Sequence, residues 1–244
     1  MNPTLYHAHH QSYTEDLAYW QSLAETNPGA LLELGCGTGR VLTTLVKQGF
    51  QITGLDNDSQ ALAFLTDHLE ETNISAVRLI HSDLTNFSVA QRFSLIILPC
   101  NTYSTLDNAQ RLATLKTVSQ HLAPGGVFAV SMPNPGVINQ LPGNSPPEEE
   151  SSFIHPQSHN PVSVMSGWQK RSKRWVLDWH YDHLFSDGQV ERSTITVVHH
   201  IEDPATHMKE WKDSGFSVLQ YGDFKRSDFN QDSQYLILQG EINP

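Results

Sequence analysis

For its first 132 residues the chain alternates short apolar runs with amphipathic stretches. Leu17, Trp20, Leu23 and Ala24 recur at three- and four-residue spacing, which predicts a helix over residues 13–26 that Asn27-Pro28-Gly29 stops. Ala30–Leu34 reads as a short buried strand. Val41, Leu42, Leu45 and Val46 then set an apolar helical face ending at Gly49. Residues 50–55 predict a second strand with Asp56 at its C-terminal end. Ser59 is placed to cap the next helix, whose periodic positions are Leu62, Ala63, Leu65 and Leu69. Strands follow at 76–81 and 93–99, the latter continuously apolar as in a strand buried on both faces. A helix at 107–122 and the turn Pro124-Gly125-Gly126 lead into a fifth strand at 127–132. Such alternation predicts an α/β fold with mostly parallel pairing and helices on both faces of the sheet. Ligands of open sheets bind beyond the C-terminal strand ends, here Glu33–Gly39, Asp56, Asp83 and Pro99–Tyr103.

The pattern breaks after the fifth strand. Residues 133–161 hold seven prolines and no periodicity, so a long loop is expected there. Glu148-Glu149-Glu150 within it reads as a solvated charge run. Residues 174–201 read as an antiparallel hairpin around Asp187-Gly188. A two-residue turn there pairs Ser186 with Gln189. One face then carries Trp175, Leu177, Trp179, Tyr181, His183 and Phe185 opposite His200, Val198, Thr196, Thr194, Arg192 and Val190. The tail returns to the sheet with a helix at 204–214 and strands from Phe216 and over 234–239, which would pair antiparallel at one edge. The expected organisation is one domain over 1–244, with a helical cap at 1–29 and an inserted loop and hairpin at 133–201 serving as lid or oligomer surface.

Charge narrows the partners. The net charge of −11 disfavours a phosphate backbone, so nucleic acid is not expected. Cys36 and Cys100 form no CxxC pair, which fits a reducing compartment. Residues 1–17 lack the basic start and apolar run of a signal peptide, and no apolar run approaches the roughly 20 residues of a membrane helix. The expectation is a soluble cytoplasmic protein.

The glycine loop Gly35-Cys36-Gly37-Thr38-Gly39 follows a strand and opens a helix. It departs from a dinucleotide fingerprint, because Arg40 stands where a third small residue belongs, and it lacks the Gly-Lys-Ser/Thr ending of a phosphate loop. Together with Glu33 before it and Asp56 after the second strand, Glu33-Leu34-Gly35-Cys36-Gly37-Thr38-Gly39 resembles the first motif of the class I S-adenosylmethionine-dependent methyltransferases. Ser82-Asp83-Leu84, Phe93–Tyr103 and Leu122–Gly126 resemble the later motifs of that family in order. The resemblance implies a Rossmann-like, mostly parallel seven-stranded sheet and S-adenosylmethionine as cofactor, with S-adenosylhomocysteine as product. It implies cofactor contacts from Glu33, Gly35, Cys36, Gly37, Gly39, Asp56, Asn57, Ser82, Asp83, Leu84 and Pro99. Asp56 would accept the ribose hydroxyls and Asp83 the adenine amine, although Asp83 can equally cap a turn. Cys36 is as well read as a small filler.

The fourth-strand segment Pro99-Cys100-Asn101-Thr102-Tyr103 departs from the motif of nucleic-acid amine methylases. With the inserted hairpin, it resembles the small-molecule N-methyltransferases, including those acting on amino sugars. That resemblance implies that an N-terminal helix with tyrosines closes over the cofactor, for which Tyr6 and Tyr13 are the candidates by position. Asn101, Tyr103, Tyr181 and Arg192 are the acceptor-site candidates, and His183, on the face of Tyr181 and Arg192, is the candidate general base. His180 and His183 point to opposite strand faces, so no metal is expected. His7, His9 and His10 read as a solvated tail. The implied activity is methyl transfer to a nitrogen or oxygen of a small metabolite by a monomer or homodimer. Rival readings remain. Lys170–Arg174 is a basic cluster suited to a protein or RNA methyltransferase, a non-catalytic cofactor binder is consistent with the same motifs, and a nicotinamide oxidoreductase is compromised by Arg40.

Overall fold

The computed structural model describes residues 2–69 and 74–242. Two helices, α1 (Pro3–His10) and α2 (Leu17–Thr26), precede β1 (Leu31–Leu34), α3 (Arg40–Lys47), β2 (Ile52–Asp56) and α4 (Ser59–His68). Then come β3 (Val77–His81), β4 (Phe93–Leu98), α5 (Thr102–Thr105), α6 (Asn108–His121) and β5 (Leu122–Pro133). After α7 (Pro135–Gln140) four strands run in succession: β6 (Asn144–Ile154), β7 (Pro161–Arg171), β8 (Arg174–Leu184) and β9 (Val190–His200). The chain closes with α8 (Pro204–Asp213), β10 (Phe216–Tyr221) and β11 (Tyr235–Ile242).

The main sheet has the order β10-β11-β5-β4-β1-β2-β3, parallel from β5 to β3, with β11 antiparallel to both β5 and β10. Strand alternation sends successive side chains to opposite faces. Leu31 packs beneath α2 and α3 with Trp20, Leu42 and Ile97, while Leu32 joins Phe128, Leu115 and Trp211 on the other side. Local signals set the helix starts. Asp107 and Gln110 form a reciprocal capping box on α6, and Asp58 rather than Ser59 caps α4.

Three expectations need correction. The helix predicted over 13–26 starts only at Leu17, and a separate helix, α1, precedes it with Tyr13 in the connection between them. Asn2 caps α1 by accepting the Leu5 amide, and Pro3 occupies a position that needs no amide donor. The stretch 133–161 is not a structureless loop but contains α7 and β6. The hairpin is therefore the second half of a four-stranded antiparallel sheet, β6-β7-β8-β9. The turn at Asp187-Gly188 has three residues, not two. Gly188 sits at φ 85 and the Phe185 amide donates to the Gln189 carbonyl at 2.8 Å, which pairs Phe185 with Gln189. This one-residue shift moves every β9 side chain to the opposite face. Trp175 faces His199, and Arg192 faces Asp182 instead of His183.

Candidate functional site

The C-terminal ends of β1 to β4 meet under α1 and the second sheet. The Asp56 carboxylate ties two of these ends together: the Gly37 amide donates to Oδ2 at 2.7 Å and the Asp58 amide to Oδ1 at 2.8 Å. Each carboxylate oxygen has two lone pairs, so Asp56 keeps acceptor capacity for a diol. Gly37 adopts φ 51, and a Cβ built there would meet nothing nearer than Asp56 Oδ2 at 3.9 Å. The space before the loop is open to a ligand. Gly39, at φ 85, caps α3 so tightly against α4 that a Cβ would run into the Leu65 side chain.

Glu33 lies at the base of this space, 2% exposed, with Oε2 unpartnered. Burial pushes its carboxyl well above the usual carboxylate range. An orphaned buried acceptor beneath an open glycine loop fits the polar amino-acid end of S-adenosylmethionine. Cys36 is buried beside it, its amide donating to the Leu55 carbonyl at 3.1 Å. At the next strand end the Ser82 amide donates to the Asp56 carbonyl at 3.0 Å, and the Asn57 carbonyl is hydrogen-bonded to His81 at 3.0 Å. Asp83 Oδ1 accepts the Thr85 amide and hydroxyl at 2.8 and 2.7 Å, so this carboxylate also caps its own turn beside Leu84. Beyond Pro99, Cys100 and Asn101 hold left-handed backbones at φ 60 and 61. Such conformations cost roughly 1–3 kcal/mol each and persist where surroundings over-determine them. Here the Pro99 carbonyl accepts the Thr102 hydroxyl at 3.0 Å and the Asn101 carbonyl the Ser104 hydroxyl at 2.7 Å.

The N-terminal segment is fastened over these loops. Arg40 donates to both Asp16 carboxylate oxygens at 2.7 Å and to the Tyr13 carbonyl at 2.8 Å, with its guanidinium 5.0 Å over the Tyr13 ring. Arg40 also donates to Cys100 Sγ at 2.9 Å. Tyr13 shares a hydroxyl hydrogen bond with Tyr235 at 2.9 Å. His7 is hydrogen-bonded to the Thr38 hydroxyl at 3.2 Å. Tyr6 stacks on His10 at 4.2 Å, in electrostatic reach of Cys100, Arg40 and Asp56 on one side and of Tyr181 on the other. The His9 side chain, only 8% exposed, joins Tyr181 Oη at 3.0 Å to Glu150 Oε1 at 3.1 Å, and Trp179 Nε1 donates to Glu150 Oε2 at 3.0 Å.

Several candidates lie elsewhere. Tyr103 is fully buried with its hydroxyl accepting from Trp211 Nε1 at 3.0 Å, so it is a core group. Arg192 forms an ion pair with Asp182 at 2.6 Å on the outer face, because of the register shift. His183 stacks on His155 at 4.6 Å and lies 2.9 Å from the Ser158 hydroxyl, contacts that belong to the far end of the second sheet. On the inner face His199, not His200, accompanies Trp175, and it lies 2.8 Å from the Ser104 hydroxyl. Residues read as solvated do the opposite: His7, His9, His10 and Glu150 line the roof. The Asn2-Pro3 start signals α1 from sequence alone. Glu150 had no comparable signal, since Pro146-Pro147 mask the strand that carries it.

Comparison with known proteins gives this arrangement a class. Residues 31–126 match the family described as a methyltransferase domain. The solved S-adenosylmethionine-dependent methyltransferase of Clostridium acetobutylicum ATCC 824 superposes with a TM-score of 0.82 at 16% identity, covering 98% of this chain and 97% of that one. The sugar N-methyltransferase KedS8 of Streptoalloteichus superposes with a TM-score of 0.78 at 14% identity, covering 98% and 92%. The fold is shared with these solved methyltransferases, and residues 31–126 match a methyltransferase domain. Among curated proteins, the putative methyltransferase YqeM of Bacillus subtilis is 25% identical over 124 residues, 50% of this chain and 48% of that protein. The chain spans about half the length of the first curated relatives it matches.

Proposed function

We propose that the protein moves the methyl group of S-adenosylmethionine to a nitrogen of a small molecule. The observation that carries this reading is the closed roof: α1 and the inner face of the second sheet cover the strand ends, with Tyr181 fully buried and Glu150 reaching in from β6. A covered site of this kind favours a small acceptor over a polymer. Bound S-adenosylmethionine supplies an electrophilic methyl on a sulfonium leaving group. Asp56 and the Gly35–Gly39 loop would hold the ribose and amino-acid end, Ser82–Leu84 the adenine, and Asn101 would face the acceptor. Positioning beneath the roof would then provide most of the rate. A nitrogen acceptor is favoured by negative charge around the site: Asp56 lies at the strand ends, and Glu150 on the roof is pulled down to about 2 by its His9 hydrogen bond.

In the basic cluster on which the rival protein or RNA reading rests, two lysines are engaged within the fold while Arg171 and Arg174 stay exposed. Lys170 Nζ caps the carbonyls of Asn139 and Leu141, and Lys173 pairs with Glu202 at 2.7 Å. Methyl-labelled S-adenosylmethionine incubated with the protein and a fractionated extract tests the proposal. Label in small amines supports it. Label in RNA or protein, or none despite cofactor binding, overturns it.

A further inference from the structure

Tyr181, His9 and Glu150 come from β8, α1 and β6, three segments far apart in the chain, yet they form one line of hydrogen bonds. Ionised Glu150 is acceptor-only, so the 3.1 Å contact to its Oε1 fixes a proton on His9 Nε2. His9 Nδ1 is then an acceptor and takes the Tyr181 hydroxyl proton at 3.0 Å. That leaves Tyr181 Oη as the inner end of the line, at a fully buried residue in electrostatic reach of Tyr6, which in turn reaches Asp56 and Cys100 at the strand ends. The other end reaches water through Glu150, whose side chain is 41% exposed. Trp179 Nε1 holds Glu150 from the side at 3.0 Å, and Leu5, Val162 and Val164 seal the Tyr181 ring.

We propose that this line is the proton exit of the chamber, an inference that rests on the methyl-transfer reading above. An acceptor arriving as an ammonium must lose one proton before its lone pair can attack. The N–H bond breaks and its electron pair stays on nitrogen. The proton passes to Tyr181 Oη as the hydroxyl proton moves to His9 Nδ1, and the Nε2 proton leaves through Glu150 to water. Tyr181 is the catalytic residue, and His9 and Glu150 are positioning residues that act through it. Tyr6, His10 and Arg40 are the other titratable groups in electrostatic reach of the line.

Hydroxyl exchange tests the path without any acceptor. In protein carrying Cζ-labelled tyrosine, the deuterium isotope shift reports how fast the Tyr181 hydroxyl exchanges with solvent. Exchange that slows by roughly a hundredfold in His9→Gln and Glu150→Gln is expected, the scale of losing a general base. Loosened packing would speed exchange, so the sign separates a relay from a structural role. Lys173→Ala, on the exposed pair with Glu202 away from the line, should exchange within a few-fold of the parent. Equal or faster exchange in the His9 and Glu150 variants overturns the proposal. If the labelling experiment yields an amine acceptor, Tyr181→Phe should lower kcat below the amine's own pKa and recover it above. Labelling of a polymer with relay exchange intact would instead mark failure of the methyl-acceptor reading alone.

Discussion

Asp56 joins two strand-end loops by taking one amide on each carboxylate oxygen. Replacing it with alanine removes these bonds and the charged acceptor offered to a ribose. Charge-assisted hydrogen bonds contribute roughly 1.5–3 kcal/mol each, so the Kd for S-adenosylhomocysteine should rise at least about tenfold by titration calorimetry. An unchanged Kd would remove Asp56 from the cofactor site. Two glycines in the same loop separate binding from folding. Gly37→Ala puts its methyl into open space before the loop, at a left-handed backbone cost of about 1–2 kcal/mol. Gly39→Ala adds a collision with Leu65 to the same kind of cost. Denaturation midpoints should therefore fall further for Gly39→Ala, while cofactor affinity per folded molecule should fall further for Gly37→Ala. Most of this site is legible from residue order, because a glycine loop between a strand and a helix admits few alternatives. The roof is not: His9 and Glu150 stand 141 positions apart, and no local rule pairs them.

At the scale of elements, α6 and α8 are tied by one buried ion pair. Arg111 donates through Nε and Nη2 to the two Glu210 oxygens at 2.8 Å, and Asn108 adds a third donor at 2.7 Å. Burial alone would raise the Glu210 carboxyl, but the bonds from Arg111 and His207 pull it down to about 2. A carboxyl depressed in the fold stabilises above its unfolded value, about 4.3, and that contribution is lost as pH falls from there toward 2. Urea denaturation from pH 7 to pH 3 should show this loss in the parent and a shallower slope in Glu210→Gln. Arg111→Ala strands the buried carboxylate and should cost about 3–5 kcal/mol at pH 7. A cost below about 1 kcal/mol would make the pair a solvated one. The parallel core of the sheet was readable from apolar runs and turn residues, as in β4 and β5. The second sheet was not. Its β6 is polar and interrupted by Pro146-Pro147, and its β8–β9 register turned on Gly188 making a three-residue loop. That single residue decides that Arg192 faces solvent-side Asp182 and that His199 faces inward.

For the whole molecule, the question is how the roof admits a cofactor. α1 buries only Leu5 and Ala8, so its own packing holds it weakly. Its remaining ties are polar and aromatic: His7 to Thr38 in the glycine loop and to Phe64, His9 to Glu150 and Tyr181 in the second sheet, and His10 against Trp179. α2 behind it is anchored far better, with Trp20 and Leu23 buried and Asp16 clamped by Arg40 and Trp20. With Tyr13 and Asp16 held by Arg40, the hinge falls at residues 11 and 12, and α1 can lift while the sheet and α2 stay folded. A ligand that binds only the closed form stabilises it by mass action, about 2.7 kcal/mol at a hundredfold excess over Kd. Hydrogen exchange with and without S-adenosylhomocysteine should then show α1 amides slowed by roughly the hundredfold that this free energy allows. The α6 amides, held by the buried core, should change little. Arg40→Lys loses the two-pronged clamp on Asp16 and should loosen α1 in the free protein while leaving α6 unaffected. Ligand-independent exchange in α1 would show instead that the roof is a fixed wall and that the cofactor enters by another side.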